Sequence, residues 1–327
     1  MTHRRSLLPI LTMFIVAFIT IGCSESKGFG DREFWETATA DDVRKAIERG
    51  ESINDPIGPF GSGFPLHQAV DHATDVDAIR VLLIRGARVD AKTRLIGQQT
   101  PLHWTVNRSE YQIRGEIMKL LLEHGANVEA RDEYGNTPLH SVGFLNIENL
   151  EERGHPSFVE ILLNYGADIH ARNDNGDTPL HRAHKPEIAK ALLNYGANVN
   201  ERNEEGLTPL HRKGAEITLL LLDYGADIEA QAYWSGLTPL HYAVIRRDLT
   251  AAEALLDSGA NINAIDDIGQ TALHHAVGPE HEPELAIVEL LLKRGIDRDA
   301  RDESGNTPCL LSKAWHENAE LHRLLCE

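Results

Sequence analysis

The sequence predicts an all-α solenoid in which short helix pairs stack on one another along the chain. The tetrapeptide TPLH occurs five times, beginning at Thr100, Thr137, Thr178, Thr208 and Thr238. The related forms FPLH, TALH and TPCL begin at Phe64, Thr271 and Thr307, so that successive copies are 30 to 41 residues apart. An amphipathic run that ends in glycine follows most copies. A helical unit of this length cannot bury its own apolar face and must stack on a copy of itself.

The TPLH motif is predicted to begin the first helix of each unit. Threonine at an N-cap accepts a hydrogen bond from a backbone N–H of the first turn, and proline at the next position has no N–H to leave unpaired. The later run EIMKLLLEHG is predicted to form the second helix, with Gly125 where a left-handed residue ends it. The same glycine position is filled in other units by Gly86, Gly166, Gly196, Gly225, Gly259 and Gly295.

Between units, the segment ARDEYGNT, with Gly135 at its tip, predicts a two-stranded β-hairpin finger that leads into the next helix.

Two successive units are only 30 residues long, and their first helices are predicted to be little more than one turn. In the first of them, TPLHRAHKPEIAKALL, Pro186 is placed to begin the second helix, and TPLHRKGAEITLLLL in the next unit is equally short.

This pattern resembles that of the ankyrin-repeat family, as in GNTPLHSV followed by VEILLNYGADIHARNDNGDTPLH. The resemblance covers nearly all of residues 34–327 and implies an ankyrin solenoid of about nine units, in which FWETATADDVRKAIERGESIN is the N-terminal cap. Members of the family use their fingers and concave helix face to bind proteins, so the resemblance implies a binding protein that is not an enzyme. It also implies that the motif histidines bond to neighbouring backbone, namely His67, His103, His140, His181, His211, His241 and His274.

The N-terminal segment, residues 1–22, is predicted to be a secretory signal peptide, because two arginines precede an apolar run of about 15 residues. Its end, ITIGC, resembles the bacterial lipobox and implies that Cys23 is diacylated, although Thr20 stands where leucine is usual. An uncleaved signal anchor is the alternative. Residues 23–33 are then a lipid-anchored linker to a periplasm-facing domain. Ser24 resembles the sorting residue for the outer membrane of a Gram-negative cell.

The charge balance, 32 basic against 50 acidic residues and a net charge of −18, argues against nucleic acid as a partner and against direct binding to anionic lipid. Contact with the membrane is therefore expected through the lipid anchor alone. Electrostatic steering favours a protein partner with a basic or mixed surface. The remaining histidines and cysteines show no spacing typical of metal ligands, and the sequence indicates neither a metal nor a cofactor.

The finger tips supply the candidate partner-binding residues, because large apolar side chains occur where solvent selects polar ones. These residues are Leu95, Ile96, Tyr134, Tyr233, Trp234 and Ile268. Trp104 and Tyr242 directly follow their motif histidines and either lie near the binding face or pack between units; we favour packing. The predicted function is that of an interaction scaffold or adaptor in the cell envelope. An inhibitor or immunity protein that neutralises an envelope-acting enzyme is the alternative.

One unit carries an insertion within Gly143 to His155. Twenty-seven residues separate Leu139 from Gly166, against 19 from Leu240 to Gly259, which leaves eight extra residues between the helices. The insertion is either a contact loop or a harmless lengthening, which costs little. An enzyme with a site here is a third hypothesis, supported only by Glu148, Glu151, Glu152 and His155.

Two cysteines remain near the C-terminus. In the C-terminal unit, Cys309 is placed at the start of the first helix and Cys326 at the end of the second helix. Antiparallel packing of the two helices would bring these residues together. In an oxidising compartment they can pair. The interpretation we favour leaves them unpaired, with Cys309 filling the core position of the usual leucine.

Overall fold

The computed structural model describes residues 28–58, 63–94, 97–106, 111–143, 154–278, 283–315 and 318–327. In these segments the chain forms helix pairs. The first helices of the units are α1 Arg32–Trp35, α3 Pro65–His72, α5 Pro101–Trp104, α7 Pro138–Val142, α9 Pro179–Arg182, a 3₁₀ helix at Pro209–Arg212, α12 Pro239–Ile245, α14 Ala272–Ala276 and α16 Pro308–Trp315. The second helices are α2 Ala40–Glu48, α4 Val76–Ile84, α6 Tyr111–Glu123, α8 Pro156–Asn164, α10 Pro186–Asn194, α11 Ala215–Asp223, α13 Leu249–Asp257, α15 Leu285–Lys293 and α17 Ala319–Cys326.

Each unit packs on the units before and after it, first helix on first helix and second helix on second helix, as in α7 on α9 and α11 on α13. One apolar core follows from this stacking and runs from Phe29 to Leu325. Phe29, in the segment expected to be a linker, is buried and stacks on Trp35 with their ring centroids 5.3 Å apart. The helical solenoid predicted from the repeat is confirmed.

The TPLH motif begins the first helices as predicted. In the unit of α7, Thr137 is the N-cap, and the next residue, proline, is at the first helical position. His140 Nδ1 accepts hydrogen bonds from the Thr137 N–H, at 3.2 Å, and from the Thr137 hydroxyl, at 2.9 Å. Because Nδ1 accepts the backbone N–H, the ring proton is on Nε2, which donates to the carbonyl oxygen of Asp177 at 2.9 Å.

The motif histidine therefore caps its own helix and bonds to the finger that follows it. Four other histidines bond in the same way to the next finger, at 3.0 to 3.2 Å: His67 to Gln99, His103 to Asn136, His181 to Leu207, and His274 to Asn306. For these five histidines the bond confirms the structural role that the family resemblance implied. His211 and His241 accept the N–H of their N-cap threonine through Nδ1, but their Nε2 atoms do not make the bond to the next finger. The glycines that end the second helices have positive φ, such as +86° at Gly125, as their left-handed position requires.

The fingers are tight turns that hydrogen-bond to one another. In the finger at 130–137, the Asp132 N–H donates to the Asn136 carbonyl at 2.9 Å, and one Asp132 carboxylate oxygen accepts the N–H groups of Tyr134 and Asn136. The Asp132 side chain thus accepts N–H groups that backbone carbonyls would bond in a β-ladder. In the described segments, the two-stranded hairpins that we predicted are therefore limited to isolated β-bridges at Ile57–Gly63 and Ile265–Thr271. The Asp174 N–H donates to the Tyr134 carbonyl at 3.1 Å, which joins consecutive fingers into a row.

The two 30-residue units have short first helices, as predicted. Helix α9 and the 3₁₀ helix at Pro209–Arg212 are four residues long, and Pro186 begins α10. By contrast, α12 in the following unit has seven residues. Among the described helices, none is both long and apolar enough to cross a lipid bilayer.

Cys309 and Cys326 form a disulfide, with their Cα atoms 5.3 Å apart. The interpretation we favoured from the sequence, two unpaired thiols, was wrong. Helices α16 and α17 pack against each other, and this places the first turn of one beside the last turn of the other. The disulfide ties the start of α16 to the end of α17 and so stabilises this helix pair.

Reduction of this disulfide is expected to destabilise the C-terminal unit by about 3 kcal/mol, the chain-entropy value for a loop of this length. Hydrogen exchange at α16 and α17, measured before and after reduction, tests this, and exchange at α4 serves as the internal control. Free thiols at both Cys309 and Cys326 in unreduced, denatured protein would contradict the pairing itself.

Candidate protein-binding surface

The fingers and the first helices line two grooves. We call the surface formed by these fingers and first helices the inner face. The N-terminal groove, of about 420 Å³, is lined by Tyr134, Ser141, Asn173, Asn175 and Arg182 among others. Its walls are held by amide hydrogen bonds between fingers, since Asn173 Nδ2 donates to Asn136 Oδ1 at 2.8 Å. Such a groove offers hydrogen-bond donors and acceptors at fixed positions.

The C-terminal groove is larger, about 770 Å³. Its apolar lining includes Tyr242, Ile268, Leu311 and Trp315, while Glu284, Asp302 and Glu303 contribute carboxylates. Leu311 and Trp315 belong to α16, so the disulfide-bonded helix pair forms one wall of the groove. The arrangement suits an apolar side chain of a partner with a basic group beside it.

Four of the predicted finger residues lie in the described segments, and all four are exposed. The exposed fractions are 62% for Tyr134, 56% for Tyr233, 83% for Trp234 and 54% for Ile268. Tyr134 lines the N-terminal groove and Ile268 lines the C-terminal groove. The other two predicted residues, Leu95 and Ile96, lie outside the described segments, as does Cys23.

Tyr233, Trp234 and Ile268 are on consecutive fingers, which are joined by a hydrogen bond of 3.0 Å from the Asp267 N–H to the Ser235 carbonyl. We call these three residues the apolar finger patch. Tyr233 also packs against the preceding finger at Gly206, where a Cβ atom would come within 2.6 Å of the Tyr233 nitrogen. Tyr134 is separated from the patch by two intervening fingers, so the predicted residues form one cluster and one isolated site.

The two aromatic residues that follow motif histidines behave differently from each other. Trp104 is buried and packs edge-on against His67, at 5.1 Å between ring centroids, as predicted. Tyr242 packs edge-on against His211, at 5.4 Å, but also lines the C-terminal groove. The exposed Trp315 was missed, because it follows the last TPCL motif at a position without an aromatic residue in the other units.

His275 and Asp266 form a hydrogen-bonded pair of 2.9 Å at the base of the C-terminal groove. Burial raises the pKa of Asp266, but the hydrogen bonds from His275 and from the N–H groups of Gln270 and Ile268 outweigh it and hold the pKa below the usual value. These backbone bonds shape the finger at 265–270, so the pair has a structural explanation. Within the described residues, no group of three or more His, Cys, Asp or Glu side chains is arranged to hold a metal ion.

The insertion lies mostly outside the described segments, including Glu148, Glu151 and Glu152. Its two ends are described. Gly143 packs tightly on the next unit, where an added Cβ atom would lie 2.8 Å from the Ala183 Cα. His155 caps α8, since its Nδ1 accepts the Ser157 N–H at 3.2 Å. A capping role accounts for His155 without any catalytic function.

Segments of this chain are similar to segments of known proteins. A 93-residue segment is 43% identical to the Homo sapiens "Neurogenic locus notch homolog protein 4", over 28% of this chain and 4% of that protein. A 99-residue segment is 37% identical to the Mus musculus "B-cell lymphoma 3 protein homolog", over 30% of this chain and 21% of that protein. The chain thus spans only a small part of the length of these relatives.

Among solved structures, the crystal structure of the ankyrin repeat domain of Bcl-3, described as a member of the IkappaB protein family, superposes with a TM-score of 0.52. The sequences are 30% identical, and the match covers 70% of this chain and 99% of the other. The family described as "Ankyrin repeats (3 copies)" matches residues 66–151, 147–232, 186–266 and 212–302. The chain belongs to the ankyrin-repeat family and is a protein–protein interaction module.

Proposed function

We propose that this protein is an exported, lipid-anchored adaptor that binds a protein partner in the bacterial cell envelope through its inner face. The observation that carries the binding proposal is the apolar finger patch, Tyr233, Trp234 and Ile268, beside the C-terminal groove. Exposed aromatic side chains next to an apolar groove are typical of the energetic centre of a protein interface. Fingers of several units together supply the roughly 800 Å² per partner that specific association requires.

The proposed location is supported by the first 23 residues, with their apolar run and the ITIGC sequence at Cys23. The Cys309–Cys326 disulfide also supports it, because disulfides persist in oxidising compartments such as the periplasm. In this proposal Cys23 carries the lipid, and the outer membrane is the favoured site in a Gram-negative cell.

The partner we propose has a basic or mixed surface, since the net charge of −18 attracts such a surface over long range. The carboxylates of Glu284, Asp302 and Glu303 at the C-terminal groove support the same choice. The same carboxylates are also compatible with the alternative function, that of an inhibitor or immunity protein for a basic enzyme. An inhibitor binds one-to-one and abolishes the activity of its partner, whereas an adaptor leaves that activity intact.

Replacing the apolar finger patch by Tyr233→Ser, Trp234→Ser and Ile268→Ser is expected to lower partner recovery from solubilised envelopes at least about tenfold, since hot-spot residues each contribute about 2 kcal/mol. The measurement is quantitative mass spectrometry of the proteins captured by the acylated chain. The matched control replaces Ile84 and Leu219, exposed apolar residues on second helices, by serine.

A protein lost with the patch variant and kept with the control identifies both the partner and the face that binds it. Equal recovery with both variants would contradict the proposed binding face. Tyr134→Ser, tested separately, shows whether the N-terminal groove contributes to the same interface.

A further inference from the structure

The two short units and the unit that follows them place a group of basic side chains next to one another. Where α9 and the 3₁₀ helix at Pro209–Arg212 end after one turn, the chain turns at once towards the second helix. Arg182 and Lys213 stand at these turns, and Arg246 follows the end of α12 in the next unit. Sequence reasoning found no local basic patch in this acidic chain, because the three residues are about 30 positions apart.

Lys213 is buried, and its ammonium group reaches back to the preceding unit. Its Nζ donates hydrogen bonds to the carbonyl oxygens of His181, at 2.7 Å, and of Ala183, at 2.5 Å. These two residues flank Arg182, so the ammonium group is held beside the backbone of that arginine.

Arg246 repeats the arrangement one unit later. Its Nη1 donates to the carbonyl oxygen of Arg212 at 2.7 Å, and Arg212 directly precedes Lys213. Three successive units therefore each direct one cation towards the same region, and we call Arg182, Lys213 and Arg246 the cationic cluster. Arg246 is exposed and Arg182 is half-buried, whereas Lys213 lies beneath them.

Two carboxylates lie close to these basic side chains. Asp177 lies 3.7 Å from Arg182, measured from Oδ2 to Nη1, and its other oxygen accepts a hydrogen bond from Asn203. Asp248 lies near Gly214, but its carboxylate caps α13 by accepting the Ala251 N–H at 2.9 Å. Asp177 is the carboxylate whose charge raises the pKa of Lys213.

The neighbouring groups are close enough to change one another's pKa values. Burial, together with the charges of Arg182 and Arg246, lowers the pKa of Lys213 to about 7 despite the opposing effect of Asp177. Desolvation, followed by the charges of Lys213, Arg182 and Arg246, likewise lowers the pKa of His184, whose side chain is exposed. Burial is the largest cause at both groups, but the charges of the cluster act in the same direction, and an anion placed among them would be attracted.

We propose that the cationic cluster receives a carboxylate side chain of the protein partner, so that the inner face binds an acidic residue within an otherwise basic or mixed surface. This inference rests on the proposed function and adds a partner feature to it. Arg246 supplies the exposed donors, half-buried Arg182 adds a second guanidinium group, and Lys213 adds charge from below. A long polyanion is disfavoured because the net charge of −18 repels it away from the cluster.

The test uses two short peptides of glycine and serine, one with two adjacent glutamates at its centre and one with glutamines instead. At about 20 mM salt, where screening is weak, the glutamate peptide is expected to bind the full chain at least about fivefold more tightly. Binding is measured by NMR titration, and the preference is expected to fall at about 150 mM salt.

Arg246→Gln and Lys213→Met are each expected to reduce the glutamate peptide to the affinity of the glutamine peptide. Lys190→Gln removes the same charge from an exposed position on α10 and is expected to keep the preference. Should Lys213→Met fail to fold by circular dichroism, Arg246→Gln at the surface decides the test.

Equal binding of the two peptides, or an equal loss in the Lys190→Gln control, would overturn the proposal. So would tighter binding of a single-stranded oligonucleotide, or full competition by inorganic phosphate at equal concentration, since each points to a different ligand. Recovery of a partner from envelopes that depends on the apolar finger patch, together with peptides that do not discriminate, would reject the cationic cluster alone and leave the proposed function in place.

Discussion

Acidification from pH 7 to pH 5 is expected to remove about 2 kcal/mol of unfolding free energy for each of five buried motif histidines. Burial, the largest cause at each of them, lowers their pKa values from 6.5 to about 4; the five are His67, His140, His181, His211 and His241. The combined loss is comparable to the whole stability of an ordinary domain, which is about 5 to 15 kcal/mol.

The sign follows from the proton each histidine binds on unfolding. Between about pH 6.5 and pH 4 the unfolded ring is protonated while the folded ring stays neutral, because it is buried. In four of the five, all but His67, the ring Nδ1 also accepts a hydrogen bond from the N-cap threonine, as at Thr137. Stability from these groups is therefore complete above pH 6.5 and is lost as the pH falls to 4. The hydrogen bonds that hold Asp302 and Asp266 ionised lower their pKa values below 3.8 despite burial, so their contribution is lost only at lower pH.

Urea unfolding followed by circular dichroism at pH 7, 6, 5 and 4.5 measures this loss. A slope that corresponds to the uptake of several protons between pH 6.5 and 4 is expected, with little effect from 0.5 M salt, since burial and not surface charge sets these pKa values. Equal stability at pH 7 and pH 5 would contradict it.

The solenoid could be predicted from the sequence because each unit contains the local signals that begin and end its own helices. The Thr–Pro pair marks the start of a first helix, the glycine marks the end of a second helix, and the histidine explains why the motif recurs. Pro186 predicted where the second helix of the first short unit begins, and α10 begins at this residue. These features act over a few residues, so a single copy already contains the physical reason for its structure.

The binding face was predicted only in part, because it depends on which units come together. Tyr233 and Ile268 are visible as apolar residues at turn tips, but their joining into one patch follows from the hydrogen bonds between fingers. The cationic cluster was not visible, since Lys213 and Arg246 meet only through stacking. Comparison of equivalent positions would not have shown it either, because the residue that corresponds to Arg182 in the next unit is Arg212 and not Lys213.

The motif histidine also predicts a large effect of a single substitution, for which His140 is the best position. His140→Ala is expected to lower the free energy of unfolding by about 3 to 5 kcal/mol. It removes the ring nitrogen that accepts the Thr137 N–H, a capping bond worth about 1 kcal/mol, and leaves a cavity where a buried ring was. It also deprives the Asp177 carbonyl of the donor that His140 supplies, a further cost of about 1 to 3 kcal/mol.

Because each unit of a solenoid contacts only its neighbours, a break between α7 and α9 is expected to uncouple the two ends of the chain. Urea unfolding of His140→Ala should then show two transitions or a reduced slope, whereas His170→Ala, an exposed histidine in the following finger, should unfold like the parent within about 0.5 kcal/mol. His140→Gln keeps an amide donor for the Asp177 carbonyl and should recover part of the loss. If His140→Ala and His140→Gln both lowered the free energy of unfolding only slightly and by the same amount, the histidine would fill space without joining units. The explanation given for the recurrence of TPLH would then be wrong.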